Sequence, residues 1–346
     1  MIYFNSDYLE GAHPSVMVRL AETNMVQTVG YGEDEYCEAA REKIKAACRA
    51  PEADVHFLVG GTQTNTTVIA AILRPWQGVL SAVSGHINCH EAGAIESTGH
   101  KVITLPTSNG KITAQQVRDY VEWHKNDEST EHIVQPGMVY ISHPTEGGTL
   151  YSKAELTALY DTCREYGLPL FIDGARLGYG LMADGTDLTL PEVAHLCDIF
   201  YIGGTKVGAL FGEAVVIMNE KLKKDFRFMM KQRGGRMAKG RLLGIQFDAL
   251  FTDDLYFKIS RHAIEMAHQI RDIFVSAGYP LLFDSPTNQQ YPIMSDDELA
   301  ILGKDFGYEY WERVDETHSG VRFCASWATK QEHVDALRAA VNALKK

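Results

Sequence analysis

A lysine follows an apolar run and two glycines in the segment CDIFYIGGTKVGALFGEAVVIM. Ligands gather at strand ends in open α/β sheets, so the amine of Lys206 is placed where a small molecule could reach it. Desolvation in a glycine-lined turn lowers the pKa of an ammonium group and exposes the amine that forms a Schiff base. An ordinary loop lysine fits the same pattern, so the interpretation depends on other residues.

A carboxylate is predicted at the same edge of the sheet. Asp173 ends the apolar run in LPLFIDGARLGYG, and its side chain would emerge toward the crevice at Lys206. Pyridoxal 5′-phosphate (PLP) requires both groups, because a carboxylate against the pyridine nitrogen keeps the ring protonated and electron-withdrawing. Asp before Gly is also a common turn or helix cap. Its coincidence with the lysine turn favours a PLP site.

Two further signals could bind anions. Arg176 could hold a substrate carboxylate through two parallel hydrogen bonds, or it could be a surface arginine. The turn at Gly60, Gly61 and Thr62 opens a predicted helix whose backbone N–H groups could bind a phosphate. Glycine turns before helices also occur without a ligand.

Two histidines each follow a predicted strand, His86 in AVSGHINCHEAGA and His143 in VYISHPTEGG. An imidazole can stack on the PLP ring or act as a base near neutral pH, although a strand-end histidine is often structural.

The elements that must position these residues alternate between helix and strand. Apolar periodicity predicts helices at 35–47, 66–73, 90–97, 114–123 and 154–166, and strands at 55–59, 79–83, 101–105, 138–142, 169–172, 199–202 and 214–218. The polar stretch 123–136 is predicted to be a surface loop. Such alternation predicts βαβ units in a mostly parallel sheet over the first two thirds of the chain. Beyond the basic stretch 231–241, amphipathic patterns at 255–277 and 330–344 and a strand near 321–324 predict a smaller α+β domain.

Composition narrows the function classes. The 346 residues carry a net charge of -12, which argues against a nucleic-acid or membrane-surface partner and favours a small-molecule substrate. The six cysteines show no C-x-x-C pair, so neither a disulfide framework nor a metal site is indicated. The sequence has no secretory signal pattern and no apolar run long enough to span a membrane. A cytoplasmic enzyme is therefore expected.

Several motifs occur in a fixed order along nearly the whole chain. They are Ser6-Asp7, YGEDEYCEA, FLVGGTQTN, GHINCHEAGA with His86 and Glu91, SHPTEGG, FIDGAR, GGTK and VRF at Arg322. In these motifs the chain resembles the low-specificity threonine aldolase and β-eliminating lyase family of PLP-dependent fold type I enzymes. The resemblance implies a PLP-binding large domain at 1–245 with a mostly parallel seven-stranded sheet, and a small α+β domain at 246–346. It also allows the N-terminal segment to pack on the small domain.

The resemblance also implies residue roles. Lys206 looks like the Schiff-base lysine, Asp173 the pyridinium partner and His86 the ring-stacking residue. The phosphate would be bound by Gly61 and Thr62, and the substrate carboxylate by Ser6, Arg176 and Arg322. The resemblance further implies a homotetramer built of close dimers with active sites at the dimer interface. Tyr31 and the basic stretch near Lys231 would then come from the neighbouring subunit.

The chain departs from the family pattern in three places. It reads GGRMAK where the family usually reads GGGMRQ, so Arg236 or Lys239 would have to supply that phosphate contact. Gly60 stands where a serine is usual. Gly204 and Thr205 precede the lysine where the family often has serine.

The expected reaction is retro-aldol cleavage of a β-hydroxy-α-amino acid, threonine or allo-threonine, to glycine and an aldehyde. His86 or His143, directly or through a water, is the candidate base for the β-hydroxyl proton, since an imidazole pKa of about 6.5 suits transfer near neutrality.

Three alternatives stay open. One is β-elimination from serine, cysteine or aromatic amino acids on the same residues. Another is a relative that binds PLP without turnover. The third is a nicotinamide-dependent dehydrogenase, suggested by G-x-G-x-x-A at Gly178, Gly180 and Ala183. That motif is disfavoured because its first glycine does not close the strand directly.

Overall fold

The computed structural model describes residues 1–345. Its helices are α1 Pro14–Thr23, α2 Glu35–Cys48, α3 Gly61–Ile72, α4 His86–Cys89, α5 Ala114–Asn126, α6 Lys153–Tyr166, α7 Leu177–Met182, α8 Leu190–His195, α9 Glu220–Lys223, α10 Phe226–Gln232, α11 Arg241–Leu250, α12 Leu255–Ser276, α13 Asp296–Leu302 and α14 Gln331–Leu344. Its strands are β1 Ile2–Tyr3, β2 Asp54–Leu58, β3 Gln77–Ala82, β4 Val102–Leu105, β5 Gln135–Ser142, β6 Leu170–Asp173, β7 Ile199–Gly203, β8 Glu213–Ile217, β9 Gln289–Gln290, β10 Ile293–Ser295, β11 Phe306–Gly307, β12 Glu309–Arg313 and β13 His318–Cys324.

The large sheet has the order β2-β8-β7-β6-β5-β3-β4 within the described chain. Only β8 among these strands runs antiparallel to both of its neighbours, so the carboxyl ends of the others meet at one edge. The strands are buried on both faces, as expected for a parallel sheet covered by helices. The predicted mostly parallel seven-stranded sheet is therefore confirmed.

Local sequence explains where the main helices begin and end. Asp34 caps α2 by accepting from the backbone N–H of Cys37, and Ser152 caps α6 in a capping box with Glu155. Gly167, in the left-handed region at φ 66°, ends α6. These caps fix the helices that pack on the sheet.

A second, smaller sheet lies in the C-terminal part. It has the order β10-β13-β12, with β9 also pairing with β13. The N-terminal strand β1 pairs with β11 in parallel, and Phe4 packs in the apolar cluster formed by α12, β13 and α14. The N-terminal segment thus contacts this smaller part, while the domain boundary at 245/246 stays a prediction.

Two sequence predictions differ from the structure. The helix predicted at 90–97 is wrong, because Ala92 and Gly93 adopt left-handed backbone angles of φ 50° and 73°, which interrupt a right-handed helix. A short helix instead begins at His86. The loop predicted at 123–136 is partly ordered, since α5 continues to Asn126 and β5 begins at Gln135.

Within residues 1–345, no helix is both long enough and apolar enough to cross a membrane.

Candidate active site

The carboxyl edge of the large sheet borders a cavity of about 280 Å³, here called the inner cavity. All the residues predicted to form a site at the strand ends line this cavity, with the exception of His143. Its lining residues are Tyr8, Val59, Gly60, Gly61, Thr62, His86, Ser142, Pro144, Glu146, Asp173, Ala175, Arg176, Tyr201, Thr205, Lys206, Phe211 and Glu213. An outer cavity of about 440 Å³ shares Lys206 with it and is lined by Tyr8, His86, His90, Glu146, Arg176, Lys206, Glu309, Tyr310, Trp311 and Arg322.

Lys206 lies in the tight turn between β7 and β8. The hydroxyl of Tyr179 donates to the Lys206 carbonyl at 2.6 Å, and the hydroxyl of Tyr256 donates to the Gly203 carbonyl at 3.0 Å. Burial lowers the pKa of the Lys206 amine, and the charge of Arg176 lowers it further. The turn therefore holds an amine that is deprotonated more easily than an exposed lysine.

Asp173 lies at the end of β6, one strand away from the lysine turn. Gly174 makes this possible, since a Cβ there would lie 1.9 Å from the Tyr201 carbonyl oxygen of β7. The Asp173 carboxylate accepts hydrogen bonds from the hydroxyls of Tyr140 and Tyr201 and from the Ala175 N–H. Although burial raises the pKa of Asp173, the positive charge of His86 and these hydrogen bonds lower it overall, so the carboxylate is ionised.

His86 opens α4 and is held by a buried carboxylate. Its Nδ1 lies 2.8 Å from Glu91 Oε1. The amide of Asn65 donates to Glu91 at 2.7 Å and to Asp173 at 3.1 Å, so it links the two carboxylates. Burial lowers the pKa of His86, but the Glu91 hydrogen bond and the charge of Asp173 raise it to a net upward shift.

The structure does not bring His143 to the cavity, which corrects its prediction as a base. His143 is 1% exposed, and its Nδ1 accepts a 3.4 Å hydrogen bond from the Tyr151 backbone. Burial lowers its pKa to about 4. Side chains alternate along a strand, so Tyr140 and Ser142 of β5 face the site whereas His143 faces away. Glu146, three residues on, lines both cavities instead.

Arg176, predicted to bind the substrate carboxylate, lines both cavities, but its guanidinium is paired with a carboxylate of the chain itself. Its Nε and one terminal nitrogen donate to the two oxygens of Asp7 at 2.6 and 3.0 Å. The Asn288 amide also donates to Asp7 at 2.9 Å. Asp7 is fully buried, and although burial raises its pKa, the charges of Arg176 and Lys206 hold the pKa at about 2. Arg176 therefore enters the site as half of a buried ion pair.

The other predicted carboxylate-binding residues lie close by. Arg322 lines the outer cavity, where it donates to Gln289 at 3.1 Å and to the Asn5 carbonyl at 3.2 Å. Ser6 is buried next to Asp7, and its hydroxyl has no hydrogen-bond partner among residues 1–345.

The predicted phosphate turn also lines the inner cavity. Gly60 precedes α3 with an extended backbone, and no side chain of the described chain caps this helix start. The first N–H groups of a 12-residue helix at Gly61 and Thr62 are thus left for an anion.

Tyr31, Lys231 and Arg236 form a separate cluster within one chain. The Lys231 ammonium lies 4.8 Å and the Arg236 guanidinium 5.8 Å from the centre of the Tyr31 ring. Arg236 also pairs with Glu33 at 3.3 Å. None of these three residues lines the inner or outer cavity of its own chain.

Glu213 was missed by the sequence reasoning. It begins β8, is 3% exposed, and accepts hydrogen bonds from the Thr205 hydroxyl at 2.8 Å and the Gly204 N–H at 3.1 Å. Burial raises its pKa to about 8 despite the nearby Lys206 charge. The available signal was a glutamate opening an otherwise apolar strand just after the lysine turn.

The G-x-G-x-x-A motif serves helix packing. A Cβ at Gly178 would lie 2.4 Å from the Ser260 hydroxyl of α12, and one at Gly180 would lie 2.8 Å from the Pro144 ring. The glycines are needed so that α7 can approach its neighbours, which explains the motif without a dinucleotide.

Comparison with known proteins gives a consistent result. A family model described as beta-eliminating lyase matches residues 4–338. A low specificity L-threonine aldolase of Pseudomonas aeruginosa is 29% identical over 337 residues, which cover 96% of this chain and 95% of that protein.

Solved structures agree in fold. A threonine aldolase of Leishmania major superposes with a TM-score of 0.97 at 42% identity, covering 100% of both chains. A histidinol-phosphate aminotransferase of Clostridium acetobutylicum superposes with a TM-score of 0.75 at 12% identity, covering 100% of this chain and 99% of that one. The second likeness shows the fold alone.

Proposed function

This chain belongs to the beta-eliminating lyase family, and we propose that it is a PLP-dependent lyase that cleaves threonine or allo-threonine to glycine and an aldehyde. The observation that carries the proposal is one cavity in which an amine of lowered pKa and an ionised, buried carboxylate lie at adjacent strand ends. The relatives at 29% and 42% identity are threonine aldolases, which favours this reaction over β-elimination.

The α/β architecture of PLP fold type I is confirmed by the solved structures, and PLP is the cofactor of this family. The residues present fit it, because the cavity combines a lysine, a buried carboxylate and an uncapped helix start. When bound, PLP supplies an electron-poor ring that accepts the electron pair released at the substrate Cα.

Each part of PLP has a candidate partner. Lys206 would hold the aldehyde carbon, and Asp173 the pyridine nitrogen, with Tyr140 and Tyr201 fixing the carboxylate. His86 would stack on the ring, since Glu91 fixes its orientation from behind.

The phosphate would lie at Gly61 and Thr62 of the α3 start. Arg176 would contribute to the charge that binds the cofactor and the substrate.

The substrate carboxylate would be bound by Arg322, with Arg176 and Ser6 beside it. Arg322 is supported by its place in the outer cavity and by a Nε that has no partner among residues 1–345. Arg176 would act with Asp7 behind it, so the ion pair would hold its guanidinium in one orientation.

A second copy of the chain would complete the site. The cluster of Tyr31, Lys231 and Arg236 does not reach its own cavities. Apolar side chains close to these residues in sequence, Met25, Val29 and Phe228, are exposed. We therefore place this cluster at a dimer interface, where it would reach the partner's PLP phosphate, with Arg236 or Lys239 making the contact. Two such dimers would form the tetramer. All six cysteines are free thiols, which favours a cytoplasmic enzyme, and the proposed reaction would supply glycine.

The function is tested by incubating the PLP-loaded protein with threonine and with allo-threonine and measuring glycine and acetaldehyde. Borohydride reduction followed by peptide mass analysis should find PLP on Lys206, and Lys206→Ala should abolish both the label and the products. Release of pyruvate from serine without glycine would instead indicate β-elimination. If neither product forms from any β-hydroxy amino acid, the proposed reaction is wrong.

A further inference from the structure

Glu146 is a carboxyl group that the sequence reasoning left without a role. It lies in the loop after β5 and is one of the few side chains that line both the inner and the outer cavity. The loop is fixed from the C-terminal part, because the Tyr291 hydroxyl donates to the Glu146 carbonyl at 2.8 Å and the Gln289 amide at 3.3 Å. The backbone of this loop is therefore held in place, and Glu146 shares the inner cavity with Lys206 and the outer cavity with Lys206 and Arg322.

One oxygen of this carboxyl group is occupied and the other is not. The Ser142 hydroxyl donates to Oε1 at 2.6 Å, and the backbone N–H of His86 donates to the same atom at 3.0 Å. No residue in 1–345 donates a hydrogen bond to Oε2. Because Glu146 lines both cavities and has one carboxyl oxygen without a protein donor, it can accept a hydrogen bond from a ligand hydroxyl.

The two histidines predicted as bases are less suited to this step. His143 is buried outside the cavity. His86 uses Nδ1 on Glu91, and the net upward shift of its pKa favours the protonated ring, which cannot accept a proton. Glu146, in contrast, follows His143 by three residues and lines both cavities.

We propose that Glu146 is the catalytic base that removes the β-hydroxyl proton of the substrate, an inference that rests on the proposed function. The hydroxyl proton passes to Oε2 of Glu146 as the C–O bond becomes a carbonyl double bond. The Cα–Cβ bond breaks, the aldehyde leaves, and the electron pair of that bond stays with Cα. Cα later takes up one proton to give glycine, and Glu146 returns its proton to solvent.

The ionisation of Glu146 depends on its surroundings. Burial raises its pKa, the Ser142 hydrogen bond lowers it, and the net shift is upward. The charged and titratable groups that line the same two cavities are Tyr8, His86, His90, Asp173, Arg176, Tyr201, Lys206, Glu213, Glu309, Tyr310 and Arg322. Because the base must be ionised, kcat/KM for cleavage is expected to fall as the pH falls through this raised pKa.

The decisive variant is Glu146→Gln, whose amide oxygen can still accept from Ser142 and His86 while the side chain can no longer take a proton. We expect kcat for threonine cleavage to fall about 10²- to 10⁴-fold, the usual contribution of general acid–base catalysis. Two measurements that do not involve a β-hydroxyl should stay within about threefold of wild type if only that proton transfer is lost. They are the Kd for glycine and the rate at which the glycine Cα hydrogen exchanges with deuterium.

Two further variants complete the test. Glu312→Gln removes an exposed carboxylate from β12, outside both cavities, and should leave cleavage unchanged. Ser142→Ala removes the hydrogen bond that lowers the pKa of Glu146, so the acid limb of kcat/KM should move to higher pH, which a merely structural role would not cause.

The outcomes are separable. If wild type cleaves no β-hydroxy amino acid, the proposed function and this inference both fail. If wild type cleaves but Glu146→Gln keeps kcat within about threefold, or loses glycine exchange as completely as cleavage, Glu146 is not the base. An acid limb that stays in place in Ser142→Ala overturns the inference as well, including when Glu146→Gln does not fold.

Discussion

The buried ion pair between Asp7 and Arg176 makes a strong prediction about stability. The variant Asp7→Asn keeps the shape of the side chain but removes its charge, which leaves the guanidinium buried without a counter-ion. The Asp7 side chain is fully buried and that of Arg176 is 12% exposed, so water can replace the lost partner only in part. The Asn288 amide would also lose its charged acceptor.

The magnitude follows from the pKa of Asp7. A fall from 3.8 to about 2 is worth about 2.5 kcal/mol, since each tenfold change in proton affinity is worth about 1.4 kcal/mol. Breaking a buried pair typically costs about 3–5 kcal/mol. We therefore expect Asp7→Asn to lower the free energy of unfolding by about 2.5–5 kcal/mol at pH 7.

The sign of the pH dependence is fixed by the direction of the pKa shift. The folded-state pKa of Asp7 lies below its unfolded value, so its contribution is complete above about pH 5 and is lost as the pH falls toward 2. Part of the difference in the free energy of unfolding between wild type and Asp7→Asn arises from this pKa shift. That part should fall at pH 3 to roughly half of its value at pH 7. Urea unfolding followed by circular dichroism, at one protein concentration, measures the difference at each pH.

A surface ion pair provides the matched control. Arg261 and Asp184 lie 3.3 Å apart with side chains 43% and 69% exposed, so Asp184→Asn should cost less than about 1 kcal/mol. If Asp7→Asn costs no more than Asp184→Asn, or if its effect is the same at pH 3 and pH 7, the account of the buried pair is refuted.

Three other predictions concern the site and its frame. Tyr201→Phe removes a donor to Asp173, which should raise the pKa of that carboxyl and weaken PLP binding on the order of tenfold, as measured by equilibrium dialysis; unchanged affinity would contradict the assigned contact. Gly174→Ala should destabilise the protein by at least about 3 kcal/mol in urea unfolding, since the added Cβ meets a backbone oxygen, whereas Gly60→Ala, with nothing within 4 Å, should not. Cys89 is the one exposed thiol among the six cysteines, so one thiol per native chain should react rapidly with a disulfide reagent; two or more would show that a buried cysteine is accessible.

Local patterns in the sequence were sufficient for the parts of the site that lie directly at strand ends. Lys206 and Asp173 each follow an apolar run that forms a fully buried strand, and the parallel arrangement of β6 and β7 brings these ends together. The sheet itself was predictable for the same reason, because its strands are nearly continuous apolar runs between helices.

The features that the sequence did not predict correctly depend on side-chain orientation, on partners distant in sequence or on local backbone angles. His143 lies one residue past Ser142, and side chains that alternate across a strand place such neighbours on opposite faces; counting from Tyr140 would have placed His143 away from the cavity. The pairing of Arg176 with Asp7 joins residues 169 positions apart, and no local pattern encodes it. The helix predicted at 90–97 failed because apolar spacing does not reveal a left-handed turn at Ala92.

The amide of Asn65 donates one hydrogen to Glu91, behind His86, and the other to Asp173. The positive charge of His86 also lowers the pKa of Asp173 directly, so a proton gained or lost at His86 changes the pKa of that carboxyl. Replacing His86, which we propose to stack on the PLP ring, with a neutral residue should therefore raise the pKa of Asp173. A substitution at position 86 made to change the substrate range would therefore alter both the proposed ring contact and the pKa of Asp173. Asn65 contacts both Glu91 and Asp173, so it is the position for a second, compensating substitution.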